Sequence, residues 1–185
     1  MNIEKIHERL LGHFGEGVIL GLTPAEEMIR DPFITVDPRR IDKVCLFCRV
    51  EPDLAFDFCQ SITGMDTGDT LTCVYHLFSY PKKHTLVLKT STPRDDAHLP
   101  SIATVWPSAD WYEREVYDLF GVRFDGHPDL RRLLLPDDWE GHPMLKDWKQ
   151  KPTYTTTVGP DANPLAMTIP TRRENPLDLL DTEGS

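Results

Sequence analysis

The segment from Trp111 to Leu133, WYEREVYDLFGVRFDGHPDLRRL, constrains this chain more than any other. It sets Glu113, Arg114, Glu115, Asp118, His127, Arg131 and Arg132 among aromatic and aliphatic side chains. Charges are seldom buried unless paired, because an unpaired ion in a dry setting costs several kcal/mol. A stretch that threads both signs of charge between bulky apolar groups therefore reads as a partly buried ion network rather than a plain solvated helix.

After Pro107 and a Ser108 cap, residues 109–120 read as a helix closed by Gly121. Ala109, Tyr112, Val116, Leu119 and Phe120 form one stripe at spacings of three and four. Glu115 and Asp118 share a face, and Arg114 lies four residues before Asp118. Two carboxylates with a histidine downstream also suggest a hydrolase, one acid donating a proton and the other serving as base or nucleophile. Against this, Arg114 between Glu113 and Glu115 should hold both ionised, which is wrong for a general acid. An exposed face of i,i+4 pairs is the blander alternative, worth about a few tenths of a kcal/mol per pair. The aromatics between the charges favour a structural ion network at a protein–protein seam, with Arg131 and Arg132 as partners for the carboxylates. His127 and His142 each precede a proline, which pushes them out of helical geometry into turns. Each reads as a hydrogen-bonding post, and two isolated histidines do not make a metal site.

Length and charge narrow the class. A chain of 185 residues suits one domain, or one domain with an extension. Its net charge of −10 lacks the basic footprint of a nucleic-acid binder. The first eleven residues contain no uninterrupted apolar run, and no later stretch approaches the ~18 apolar residues of a spanning helix. Membrane association is thus expected only through partners. Without an export signal, Cys45, Cys48, Cys59 and Cys73 are expected as reduced thiols. Cys45 and Cys48 have metal-ligand spacing, but they fall on the buried stripe of a helix and no second CxxC accompanies them. Core cysteines are the expectation, and a small zinc-binding adaptor is the alternative.

Along the chain, residues 3–14 read as an amphipathic helix ended by Gly15 and Gly17. Residues 18–20 and 33–36 are strand candidates, and Asp37 with Pro38 opens a further helix. Residues 53–62 read as another helix, from Leu54, Phe56, Phe58 and Ile62, with Gly64 just past its end. The Thr-, Val- and aromatic-rich runs 70–78 and 84–90 form a hairpin, and 102–106 is a third strand. Helices flanking a mostly antiparallel sheet make an α+β fold over residues 1–135. Seven of the 16 prolines fall in residues 136–185, which cannot hold a core of their own. The apolar residues spaced along that segment (Tyr154, Val158, Leu165, Met167, Ile169, Leu177, Leu179, Leu180) favour an extended, proline-rich C-terminal arm with anchor points on a partner over a disordered tail. There is no P-loop, and Gly15 and Gly17 lack the third glycine of a dinucleotide fingerprint.

Glu113-Arg-Glu115, Asp118-Leu-Phe120, His127 and Arg131-Arg-Leu133 resemble the characteristic segment of the 30-kDa (C-type) subunit of respiratory complex I, the NADH:quinone oxidoreductase. The run LPDDWEGHP ending at Pro143, followed by Lys146-Asp147, is similar to the same family's next block. Thr63-Gly-Met-Asp66, Val74-Tyr-His-Leu77 and the lead-in from Trp106 to Trp111 also fit, so the resemblance spans roughly residues 3 to 150. Where the family usually reads Gly-His-Pro-Leu-Arg-Lys-Asp, this chain has Met144-Leu145-Lys146-Asp147, so a cation is absent at Leu145.

The resemblance implies a subunit without a cofactor of its own, the FMN, iron–sulfur clusters and quinone belonging to partner subunits. It implies a place in the peripheral arm, on the cytoplasmic or matrix side, against the 49-kDa-type (D) subunit and near subunits B and I. The arm would run along the 49-kDa-type subunit. The implied role is scaffolding of the cluster-bearing and quinone-binding subunits in a proton-pumping NADH:quinone oxidoreductase. Glu113, Arg114, Glu115, Asp118, His127, Arg131, Arg132, His142, Lys146 and Asp147 are then expected as an interface or structural ion network rather than as catalytic or ligand residues. Membrane-bound hydrogenases and ferredoxin- or F420-dependent quinone reductases use similar subunits and remain alternatives within that kinship.

Overall fold

The computed structural model describes residues 1–26, 31–136 and 139–149. Of the arm expected over 136–185, residues 136 and 139–149 are described, and the rest lies outside the described residues. Met1–Leu135 and Gly141–Lys149 form one unit, organised as follows.

Helix α1 (Ile3–Phe14) buries Ile6 and Leu10 four residues apart and stops at Gly15, whose φ of 77° lies in the left-handed region. Strands β1 (Ile19–Thr23) and β2 (Phe33–Val36) pair antiparallel. Asp37 then accepts a hydrogen bond from the Arg39 N–H (2.9 Å), opening a short 3-10 turn at Pro38–Arg40 that runs into α2 (Ile41–Val50). Ile41, Val44, Cys45 and Cys48 are the fully buried stripe of α2. Strands β3 (Phe58–Asp66), β4 (Thr70–Ser79) and β5 (His84–Pro93) form an antiparallel meander. Strand β2 joins β5 in parallel, so the five-stranded sheet runs β1-β2-β5-β4-β3 with three of its four pairings antiparallel. The fold is α+β, as expected. Leu71, Cys73, Tyr75 and Leu77 of β4, with Leu86 and Leu88 of β5, point into the core at the two-residue period of a pleated strand.

Three local expectations fail. Residues 53–62 do not form a helix. A turn at Glu51–Ala55, with Ala55 at φ 45°, leads into β3. A bulge at Gln60, between Cys59 paired with Leu77 and Ser61 paired with His76, puts Cys59 and Ile62 on the same buried face. That extra residue breaks the strand alternation. Residues 102–106 form a turn rather than a strand, with the Val105 and Trp106 N–H groups both donating to the Ile102 carbonyl (2.9 and 3.0 Å). The additional pairing is instead β6 (His98–Pro100) with β7 (Arg123–Asp125), parallel. Ser108 does not cap α3 (Ala109–Phe120), because its hydroxyl donates to the Cys59 carbonyl (3.3 Å). Gly121 closes α3 in the left-handed conformation, φ 82°, as the sequence requires.

Candidate functional site

Helix α3 crosses β3 at Gly64. Its inward stripe is Ala109, Glu113 and Val116, so a carboxylate stands in the middle of an apolar row. On its outer side Arg114 and Asp118 are also buried, beneath residues 131–135.

Asp118 organises that overlying segment. Its Oδ2 accepts the backbone N–H groups of Leu133, Leu134 and Leu135 (3.1, 2.8 and 2.9 Å), and its Oδ1 accepts from Arg132 Nη1 (2.8 Å). Burial alone would raise its pKa. The Leu135 and Leu134 N–H groups, Arg132 and the Leu133 N–H outweigh burial and hold the carboxyl below the usual range. Arg114 reinforces the same segment, its Nε and Nη2 donating to the carbonyls of Arg131 and Arg132 (3.3 and 3.4 Å). The chain from 131 to 135 forms no helix or strand, and side chains of α3 supply the partners its backbone lacks.

Residues 141–149 finish the helix. The carbonyl of Tyr117 accepts from the Gly121 N–H (2.9 Å), that of Asp118 from His142 Nδ1 (2.9 Å), and that of Leu119 from the Met144 N–H (3.1 Å). These are carbonyls that a helix end leaves without intrahelical donors. The His142 ring packs over Gly121 so closely that a Cβ there would stand 2.7 Å from its Cδ2. Asp66, at the end of β3, accepts the N–H groups of Lys146 (2.9 Å) and Gly68 (2.8 Å), which hold its carboxyl below the usual range. Arg94 bridges Asp66 (3.2 Å) to Asp147. Lys146 thus contributes its backbone N–H here. Leu145 packs against the hydrophobic core.

Glu113 behaves differently. Its carboxyl is fully buried and accepts from Ser101 Oγ and the Ile102 N–H, both at 2.6 Å. Burial dominates those two hydrogen bonds and pushes its pKa up to about 7. The His127 Nε2 lies 3.8 Å from Glu113 Oε2 and 3.8 Å from Asp110 Oδ1, and 3.2 Å from the Asp110 carbonyl. His127 Nδ1 accepts from the Asp129 N–H (3.0 Å), which assigns the proton of the neutral ring to Nε2.

The expected pairing of arginines with carboxylates is therefore only partly realised. Arg132 does meet Asp118. Arg131 does not reach the helix carboxylates, because its side chain is exposed and pairs with Asp129 two residues away (2.8 Å). Arg114 pairs with neither Glu113 nor Glu115 among the described residues, since its guanidinium faces carbonyls and lies 5.1 Å from the Trp111 ring centroid. Glu115 is exposed and forms no ion pair among the described residues. Asp66, Arg94 and Ser101 were not singled out from the sequence. Asp66 closes the TGMD motif, which was the one available signal, whereas Arg94 and Ser101 lie in no motif.

All four cysteines are free and buried, and burial pushes their thiols up, Cys59 to about 12. Among the described residues no three His, Cys, Asp or Glu side chains are grouped so as to hold a metal ion, and no helix is long and apolar enough to cross a membrane.

A small α+β domain whose charged helix pins a long irregular segment is a definite class of architecture, and comparison with known proteins places it. The profile of the family described as the 30 Kd subunit of respiratory-chain NADH dehydrogenase matches residues 34–154, and the chain belongs to that family. The chain is 39% identical over 150 residues to the C-type subunit of NADH-quinone oxidoreductase from Saccharopolyspora erythraea, covering 72% of this chain and 59% of the relative. It is 45% identical over 117 residues to that of Salinispora tropica, covering 61% and 48%. The chain thus spans about half the length of the curated relatives it matches. Among solved structures, a trypsin-resistant fragment of Nqo5 matches with a TM-score of 0.58 and 26% identity, over 70% of this chain and 100% of that one. A chain from the membrane-bound sulfane sulfur reductase, an archaeal respiratory membrane complex, matches with a TM-score of 0.65 and 26% identity, over 79% and 85%.

Proposed function

We propose that this chain is a subunit of the peripheral arm of a proton-pumping NADH:quinone oxidoreductase that bears no cofactor itself and scaffolds the cluster-bearing and quinone-binding subunits. The observation that carries this reading is the family match across the charged helix and the segment it pins. A domain that devotes Arg114 and Asp118 to fixing a half-buried, irregular segment is built to present that segment. The partners on this reading are the 49-kDa-type (D) subunit and subunits B and I, and the membrane association is indirect, on the cytoplasmic face or its matrix equivalent. FMN, iron–sulfur clusters and quinone then belong to the partners.

The likeness to the sulfane sulfur reductase chain favours a second reading, the equivalent subunit of a related membrane-bound reductase or hydrogenase with a different electron donor. Tagging the chain in its native cells, purifying it in mild detergent and identifying the co-purifying proteins by mass spectrometry separates the two. The 49-kDa-type subunit and subunits B and I, together with an NADH-oxidising flavoprotein, support the first reading. A hydrogenase or ferredoxin module in place of the flavoprotein moves the chain to the second. A lone chain from native membranes would defeat both.

A further inference from the structure

We propose that His127 is a pH-sensitive latch, closed while its ring is neutral and released when the ring takes up a second proton. The neutral ring fastens the turn at 124–129 to the first turns of α3, and the imidazolium cannot make the same bonds.

The His127 side chain is fully buried, and both its nitrogens are committed. Nε2 faces α3, where the Asp110 carbonyl accepts its proton (3.2 Å) and Asp110 Oδ1 and Glu113 Oε2 each lie 3.8 Å away. Nδ1 faces its own turn and accepts from the Asp129 N–H (3.0 Å). The His127 N–H donates to the Phe124 carbonyl (3.2 Å), and Gly126 at φ 81° supplies the left-handed bend between them. The turn leads into Arg131, whose side chain pairs with Asp129. The latch thus sits at the root of the segment that Asp118 pins.

An imidazolium carries a proton on both nitrogens. Its Nδ1–H would point at the Asp129 N–H, donor against donor, so that bond has to break. Turning the ring over exchanges nitrogens for carbons and forfeits both bonds. Burial adds a second cost, because a charged ring in dry surroundings needs a counter-ion. Asp110 and Glu113 are the carboxylates that face it, and neither has another ion-pair partner among the described residues. Glu113 is pushed up to about 7, so below that value its carboxyl is neutral and Asp110, 31% exposed, remains as the counter-charge. The groups of other elements that feel Glu113 stay neutral over the same range, since burial raises Cys45 of α2, Cys59 of β3 and Cys73 and Tyr75 of β4. Of the acids on the ring's own segment, Asp129 sends its carboxylate to Arg131 and Asp125 sends its own to His98. Acidification therefore charges the ring while withdrawing its buried counter-charge, and the ring leaves for water, taking the turn with it.

The test is an NMR titration of the full-length, isotopically labelled chain from about pH 8 to about 5, the range in which histidine acts as a switch. Long-range proton–nitrogen correlations report the tautomer and charge of the His127 ring, and hydrogen exchange reports the Asp129 amide. At the alkaline end the ring is expected as the Nε2–H tautomer. As it gains its second proton, protection of the Asp129 amide should fall about tenfold with the same midpoint, the size of one lost hydrogen bond. The Leu133, Leu134 and Leu135 amides, held by Asp118, should keep their protection. His127→Asn puts a non-titrating oxygen near the place of Nδ1 and should keep the Asp129 amide protected at every pH. Glu113→Gln, neutral throughout, should leave the acid release in place. A ring that titrates with no change at Asp129, or one that stays neutral to the acid end, would overturn the latch. So would the same acid opening in His127→Asn, or its loss in Glu113→Gln.

Discussion

Gly64 of β3 lies directly beneath the ring of Phe120 at the end of α3, so close that a Cβ on it would stand 2.5 Å from Phe120 Cδ2. The helix rests on the sheet at a point where only a hydrogen fits. Gly64→Ala is expected to destabilise the domain by about 1–3 kcal/mol, as overpacking of a well-filled site does. Phe120→Ala should remove part of that penalty, so the double variant should be more stable than the sum of the singles predicts. Thermal or urea denaturation of the four proteins measures the coupling, and strict additivity would show that the ring yields freely.

Asp118→Ala strips the partners from three backbone N–H groups and from Arg132. Removing one member of a buried, hydrogen-bonded charge pair costs about 3–5 kcal/mol. The Leu133, Leu134 and Leu135 amides should lose protection in hydrogen exchange before the core does. Since the folded carboxyl titrates below its unfolded value, its contribution is present above the unfolded pKa and is lost as pH falls through the folded one. Asp118→Asn should therefore lose less stability on acidification than the wild type. Equal exchange at those three amides in Asp118→Ala would mean that the segment is held by something else.

Glu113 has the opposite sign. Burial raises it from 4.5 to about 7, so between these values the folded state holds a proton that the unfolded state has released. Stability from this group is complete below the unfolded pKa and declines as pH rises, until the folded pKa is passed. The full effect of that shift is about 3 kcal/mol. Urea unfolding of the wild type and Glu113→Gln at pH values on either side of that window checks it. The difference in stability between them should move towards the variant as pH rises, and a constant difference would place the carboxyl's titration elsewhere.

The four thiols should be inert in the folded protein. Each is buried and its pKa raised by burial, which suppresses the nucleophilic thiolate. An aromatic disulfide reagent is expected to react slowly with native protein and with all four cysteines once denaturant is added. Rapid modification of Cys45 or Cys48 without denaturant would mean that α2 opens or is misplaced.

Much of the fold is local and was legible for that reason. The extents of α1 and α3, the glycines that close them, the β4–β5 hairpin and the buried stripe of α2 all follow from periods of two or 3.6 and from turn chemistry. The segment 53–62 was misread because a bulge at Gln60 is invisible to periodicity: one inserted residue shifts the inward face, and the apolar spacing then imitates a helix.

The charged helix divides along the same line. Its length, its polarity and the family it marks were written in the sequence. Which of its charges is buried, and against what, was decided only in three dimensions. Periodicity favours a stripe through Tyr112 and Leu119 with Ala109, Val116 and Phe120, whereas the structure chooses one in which Glu113 enters the core with Ala109 and Val116. Ser101 and Ile102 settle the choice by bringing two donors to Glu113 from a loop more than ten residues away, so a carboxyl enters the core with both its oxygens bonded. Arg131 and Arg132 are neighbours of the same charge, yet one reaches Asp118 while the other stays at the surface with Asp129. The amino-acid sequence determined that ions would sit among apolar groups in this segment. The tertiary structure chose the pairs, because the cost of burying a charge depends on donors that only folding brings within reach.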